Sequence, residues 1–139
     1  MSIETDNEKK KEFLRSYRRA KRAVTRLEEQ LIELRINKIS PSVNNDGMPH
    51  GTDIGDLSDY AARVDHIERK IIAARYERIC TYERIEKCIE AMEEEREKDL
   101  LTYRYLRGKS WEQVAVELGY SWQHTHRIHA QALQHLKID

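Results

Sequence analysis

Hydrophobic residues along the first third of the chain repeat at helical spacing. They are separated alternately by four and three residues, in the series Phe13, Tyr17, Ala20, Val24, Leu27, Leu31 and Leu34. A sustained seven-residue repeat is the seam along which the helices of a coiled coil pack. The pattern predicts a first helix from about Asn7 to about Asn37.

A second long stretch of helical spacing begins near Asp56 or Ser58, either of which can cap a helix, and runs to about Lys98. Its hydrophobic residues begin a seam and then drift to neighbouring positions, in the series Leu57, Tyr60, Val64, Ile67, Ile71, Ile72, Tyr76, Ile79, Tyr82, Ile85, Ile89 and Met92. A drifting stripe indicates a gradual change of the buried face rather than one strict coiled coil.

Residues 38–56 separate the two stretches and hold three of the five glycines and both prolines. This composition predicts a long loop, whose length favours disorder or contact with a partner. Its polar residues, Asp46, His50, Asp53 and Asp56, are interpreted as loop residues rather than as a cation site. Two long helices joined by one loop most simply fold back as an antiparallel hairpin.

The remaining segment has shorter helices and defined turns, so we divide the chain into a hairpin, residues 1–98, and a second domain, residues 99–139. Within it, WEQVAVELGYSWQHTHRIHA has the spacing of a helix-turn-helix. Ala115 is small where the helices cross, and Gly119 tolerates the positive φ of the turn. Ser110 with Gln113 forms a capping box, and Ser121 caps the second helix. Inward positions hold Val114, Leu118, Tyr120, Thr125 and Ile128. A three-helix module without DNA contacts is the alternative.

The second helix of this motif predicts a surface that reads DNA. Its N-terminal residues enter the major groove in such motifs, where arginine pairs with guanine and glutamine with adenine. No acidic residue interrupts residues 121–136. For Trp122, packing beneath Leu118 is the alternative to a DNA contact. The predicted DNA-binding residues are Lys109, Ser121, Trp122, Gln123, His124, His126 and Arg127.

Several other classes of function are disfavoured. The four histidines at 124, 126, 129 and 135 lack a carboxylate or thiol that completes a metal set, so we predict neither metal nor cofactor. Cys80 and Cys88 are eight residues apart on one helix and are interpreted as ordinary buried or half-buried thiols. No phosphate loop or catalytic triad is present, so an enzyme is not expected.

Charge and hydropathy define the expected environment. The chain carries 25 basic and 25 acidic residues, and charged residues make up 36% of it, which is typical of long, exposed helices. No stretch approaches the ~20 apolar residues of a membrane span, and the polar N-terminus does not resemble a secretory signal. We therefore expect a cytoplasmic protein without membrane contact.

A basic stretch from Lys9 to Arg26 has nine basic residues and one acid, Glu12. It has two interpretations, contact with phosphates beside the helix-turn-helix or pairing inside the hairpin. We favour pairing, because an antiparallel hairpin brings the stretch alongside the acidic second half of the second helix, which holds Glu77, Glu83, Glu86, Glu90, Glu93, Glu94, Glu95 and Glu97.

The run from residue 96 to 137 resembles region four of sigma factors. The resemblance rests on LLTYRYLRGKSWEQVAVELGYS and the RIHAQALQHL that follows it, about 40 of the 139 residues. It implies contact with promoter DNA and with RNA polymerase. The usual charged pattern on the second helix is replaced by Trp122, Gln123 and His126, so a standard −35 sequence is not expected as the target. With no other sigma regions, a complete sigma factor is not expected.

The whole chain also resembles small phage and prophage regulators, late-gene activators of the RinA and ArpU type, through DGMPHG and DLSDYAARVDHIERKI. The resemblance implies a transcription regulator in a bacterial host, with double-stranded DNA and host RNA polymerase as partners. We expect self-association through the long helices, with a dimer favoured. The alternatives are a packaging protein similar to small terminase subunits, and a polymerase-binding protein that does not read DNA.

Overall fold

The computed structural model describes residues 3–39 and 54–138, and every regular element in them is helical. The elements are α1 (Ile3–Ile39), α2 (Ile54–Glu90), α3 (Glu95–Leu101), a π-helical turn (Thr102–Leu106), α4 (Trp111–Leu118) and α5 (Trp122–His135). The predicted all-α fold of long helices followed by a helix-turn-helix is confirmed. The centre of the predicted loop, with Asp46, His50 and Asp53, lies outside the described residues.

The second long helix ends eight residues earlier than we predicted. The amide of Met92 bonds to the carbonyl of Ile89, 3.0 Å away, which tightens the chain into a turn after Glu90. Glu94 is extended, and α3 begins at Glu95. The prediction was wrong because the residues after this turn are mostly glutamates, which are good helix formers. The sequence therefore gives no sign that the helix ends here.

The buried face of α2 also differs from the prediction. Ile72, Tyr76 and Ile79 are 66%, 68% and 51% exposed, so the stripe does not drift through them. Covered positions instead keep the alternating spacing of four and three, in the series Tyr60, Val64, Ile67, Ile71, Ala74, Arg78, Thr81, Ile85 and Cys88. The seam was hidden in the sequence because its central positions hold Ala, Arg and Thr. Both cysteines are free and at least half-buried, as predicted.

Met1–Lys21 and Glu77–Asp139 form one compact unit, here called the HTH unit. Its largest fully buried apolar side chains come from all five α-helices and from the residue after α5, and they are Leu14, Ile85, Leu100, Leu101, Val114, Leu133 and Leu136. Leu14 is next to Phe13 in the sequence and is not part of the predicted seam of α1. The first helix therefore contributes a second apolar position to this core. The predicted boundary between two domains at Lys98 stays a prediction.

Arg22–Tyr76 form the other compact unit, here called the hairpin unit. Arg35 pairs with Glu68 at 2.8 Å, and Glu28 pairs with Arg75 at 3.7 Å. In these two pairs the residue with the higher number on α1 contacts the residue with the lower number on α2. The two helices are therefore antiparallel, as predicted. Val24 and Ile71 are 1% and 4% exposed, respectively, while several larger apolar side chains remain exposed. None of the described helices is long and apolar enough to span a membrane.

Candidate nucleic-acid interface

The first helix of the candidate interface, α4, has its two ends fixed by local geometry. The Ser110 hydroxyl accepts a hydrogen bond from the Gln113 amide at 3.2 Å, and the Gln113 side chain accepts one from the Ser110 amide at 3.0 Å. Gly119 ends the helix at a φ of +72°, a conformation that a side chain would strain. The predicted capping box and glycine turn are therefore confirmed.

The second helix, α5, is positioned by a cap and by a buried hydroxyl. Ser121 accepts a hydrogen bond from the His124 amide at 3.1 Å, as predicted. Thr125 is fully buried, and its hydroxyl donates to the Ser121 carbonyl at 2.8 Å. Because this hydroxyl has a partner, threonine fits where an apolar residue is usual. Val114 and Ile128 are buried beside it, so both helices are held by their inward faces.

The outward side of α5 presents the predicted recognition residues to solvent. Gln123 and Arg127 are exposed and lie four residues apart, so they share one face of the helix. Trp122 is 59% exposed on the first turn. Planar amide and guanidinium groups at the N-terminal end of a capped helix match the hydrogen-bonding edges of base pairs in a major groove.

Two histidine rings of α5, His126 and His124, pack against different aromatic side chains. The His126 ring lies between the rings of Trp111 and Trp122, with centroids 4.5 and 4.1 Å away. Its Nε2 atom is shielded from solvent and has no hydrogen-bond partner. His124 packs edge-on against Tyr120 at 4.6 Å. Trp122 therefore contacts His126 and is 59% exposed.

The other two histidines of the cluster have structural partners. His129 is buried and shares a 2.7 Å hydrogen bond with the Tyr105 hydroxyl. Burial, followed by the nearby charges of Lys11, His126 and Arg104, lowers the His129 pKa to about 3, so this ring is neutral at pH 7. His135 bonds to both carboxylate oxygens of buried Glu97, at 2.7 and 2.9 Å. Both rings therefore have hydrogen-bond partners within the protein.

Lys109, the predicted site residue outside α5, is half-buried. Its ammonium pairs with Glu117 at 2.9 Å and lies 5.1 Å from the centre of the Tyr103 ring. Ser121 is exposed, but its hydroxyl is engaged in the cap. The structure thus brings Trp122, Gln123 and Arg127 together as the open part of the predicted set, while Lys109 and Ser121 already have protein partners.

Two basic residues near this surface were missed. The Lys10 ammonium donates to the carbonyls of Leu133 and Gln134, at 2.8 and 3.3 Å, and so binds the C-terminal end of α5. The Arg104 guanidinium lies 4.7 Å from the centre of the Trp111 ring. The Lys10 contacts join residues more than 120 positions apart in sequence, so no local pattern indicates them.

Three residues of the basic stretch, Lys11, Arg15 and Arg19, pair within α1 rather than across the hairpin. Lys11 pairs with Glu8, and Arg15 and Arg19 both pair with Glu12 of the same helix. For these three residues the prediction was wrong, because acids one or two turns away on α1 are within reach of their side chains.

Comparison with protein families shows that residues 94–137 match region 4 of sigma-70. The matched segment begins at the extended residue before α3 and covers the whole helix-turn-helix. It confirms the predicted resemblance and supports a DNA-binding, non-catalytic domain over about a third of the chain. Neither the curated proteins nor the solved structures gave a match. The resemblance to phage activators stays a prediction.

Proposed function

We propose that this protein is a sequence-specific, double-stranded DNA-binding transcription regulator of phage or prophage genes, acting in the cytoplasm of a bacterial host. In this proposal α5 lies in the major groove, and Gln123 and Arg127 contact base edges. Host RNA polymerase is a second partner, in keeping with the region 4 match.

The observation that carries the proposal is the contrast between the two sides of α5. Thr125, Ile128 and Leu133 are buried, so the helix cannot rotate to present another face. Gln123 and Arg127 remain exposed on the opposite side, and no acid lies between residues 121 and 136 to repel a phosphate backbone. A fixed, acid-free helix face of this kind is suited to reading a groove.

Selection of bound duplexes from a random DNA library tests the proposal, at about 0.15 M salt so that binding through phosphates alone is suppressed. We expect a defined motif, and a two-fold symmetric motif if the protein binds as a dimer. Absence of any enriched motif would contradict sequence-specific regulation. It would favour a protein that binds polymerase without reading DNA.

We also propose that the protein self-associates as a dimer through the hairpin unit, with a second copy covering its exposed apolar side chains. Ile32, Leu57, Ile72 and Tyr76 are 56%, 44%, 66% and 68% exposed, whereas Val24 and Ile71 are buried apolar residues among those described in this unit. Large exposed apolar surfaces of this kind usually mark contacts with other chains. A pair of such helices buries little area by itself.

Mass measurement by light scattering tests this association. We expect a dimer for the natural chain and a monomer for the double variant Ile72→Glu and Tyr76→Glu. Ala62→Glu, at another exposed position of α2, is the control and should remain dimeric. A natural chain that is monomeric at all concentrations would contradict the proposal. A ring of many copies would instead favour a packaging protein similar to small terminase subunits.

A further inference from the structure

A pocket of about 200 Å³ in the HTH unit is lined by basic side chains from α1 and from the π-helical turn. Lys11, Arg15 and Arg18 come from α1, and Arg104 comes from the turn. The pocket wall is completed by aromatic rings, including Trp111 and His126, and it contains no acidic side chain. In the sequence Arg104 lies more than 80 residues from the other three cations, and the fold brings them together.

The electrostatics of this pocket favour an anion. The pKa of Arg104 is lowered, first by burial and then by the charge of Arg18, another residue of the same pocket wall. The pKa of His129, at the back of the pocket, is lowered by burial and then by Lys11, His126 and Arg104. A bound anion would relieve this repulsion.

The carboxylates near these cations do not replace such an anion. Glu8 pairs with Lys11 at 3.2 Å and Glu12 pairs with Arg15 at 3.3 Å, but both acids are largely exposed. Exposed pairs one turn apart on a helix are weak and readily exchange for a better ligand. Arg104 donates to a neutral group, the Lys109 carbonyl, at 3.0 Å.

The surroundings of the pocket indicate which anion fits. Arg18 and Arg104 also line a neighbouring groove that reaches Ser110 and Gln113, at the positive N-terminal end of α4. The shielded Nε2 atom of His126, which has no hydrogen-bond partner, belongs to a residue of the pocket wall. Guanidinium groups match phosphate oxygens in planar, two-point contacts, so several of them around a small space suit a phosphate group.

We propose that Lys11, Arg15, Arg18 and Arg104 form a binding pocket for one phosphate group, supplied by the DNA backbone or by a free phosphate-containing ligand. The assignment of the phosphate group to the DNA backbone rests on the proposed function. It follows from the position of Trp111 and His126, which belong both to the pocket wall and to the aromatic stack with Trp122 on the recognition helix. The first helix then adds a phosphate contact that lies outside the matched region 4 segment.

The first experiment tests phosphate binding without DNA. The chain has two tryptophans, so Trp122→Phe leaves Trp111 as the only indole, in the pocket wall. Inorganic phosphate is titrated at constant ionic strength, with chloride as the reference anion. We expect a saturable change in Trp111 fluorescence that is lost in Arg15→Gln with Arg18→Gln. The matched control is Arg22→Gln with Arg26→Gln, two exposed arginines of the same helix, which should keep the response.

The second experiment measures DNA affinity against salt for the natural chain and both double variants. If the phosphate comes from the backbone, Arg15→Gln with Arg18→Gln weakens binding to selected and random duplexes by the same factor. It also reduces the slope of log affinity against log salt by about 1. The control pair should leave the slope unchanged. Circular dichroism confirms that the variants remain helical.

The outcomes separate this pocket from the proposed function. A phosphate response with unchanged DNA binding assigns the pocket to a free phosphate ligand, and the proposal stands. If the natural chain binds no DNA, the proposed function fails, and the phosphate titration alone decides whether the pocket binds phosphate. No fluorescence response to phosphate, together with an unchanged salt slope or an equal change in the control pair, overturns the proposal.

Discussion

The HTH unit and the hairpin unit are both made of α-helices, but they differ in what holds those helices in place. In the HTH unit, a continuous cluster of buried side chains joins five helices, and buried polar groups such as Thr125 and His129 have specific partners. Among the described residues of the hairpin unit, Val24 and Ile71 are buried, while Ile72 and Tyr76 remain exposed. The first arrangement fixes the exposed face of α5, which we propose reads bases. The second leaves exposed apolar side chains, which we propose a second copy covers.

The largest expected effect of a single substitution lies in the core of the HTH unit. Leu101 is fully buried, so Leu101→Ala should lower the free energy of unfolding by about 2–5 kcal/mol. Ile36→Ala, at a residue of the hairpin unit that is 54% exposed, should change it by less than about 0.5 kcal/mol in the monomer. Urea denaturation of both variants at low concentration makes this comparison. Equal losses would contradict the difference between the units.

Acid should destabilise the HTH unit through His129. Its pKa is about 3 when folded and 6.5 in the unfolded chain, so between these values the unfolded state binds the extra proton. The free energy of unfolding should therefore fall as pH decreases from 6.5 towards 3, by about 1.4 kcal/mol per pH unit from this group. His129→Gln should remove that part of the slope, measured by denaturation across this range. His66→Gln, at an exposed position in the hairpin unit, should keep it.

A smaller effect is expected at the N-terminal cap of α5. Ser121→Ala removes the acceptor for the His124 amide and should lower the free energy of unfolding by about 1 kcal/mol. Ser58→Ala, on an exposed side of α2, is the matched control and should be nearly neutral. Thermal denaturation distinguishes them. A neutral Ser121→Ala would show that the cap does not stabilise α5.

The helix-turn-helix could be predicted because its requirements are local. The caps at Ser110 and Ser121 and the glycine at 119 follow short-range rules of helix geometry, and the structure satisfies each of them. The exposed face at Gln123 and Arg127 then follows from the helical repeat.

The contacts that depend on distant residues could not be predicted in this way. Hydrophobicity alone misassigned α2, because its seam passes through Ala74, Arg78 and Thr81 and leaves Ile72 and Tyr76 exposed. The placement of α1 against the C-terminal helices, seen in the bond from Lys10 to the Leu133 carbonyl, has no signal in either segment. The phosphate pocket depends on the same placement, so only the folded chain indicates it.

Repeating the DNA selection with Arg127→Ala tests most directly whether the exposed face of α5 reads bases. If Arg127 contacts a base, the variant should bind the selected duplex more weakly by about 1–3 kcal/mol and accept other bases at the contacted position. Lys137→Ala removes the same charge beyond the C-terminal end of α5, from another exposed residue, and should leave the motif unchanged. An unchanged motif and affinity in Arg127→Ala would contradict the assignment of this face.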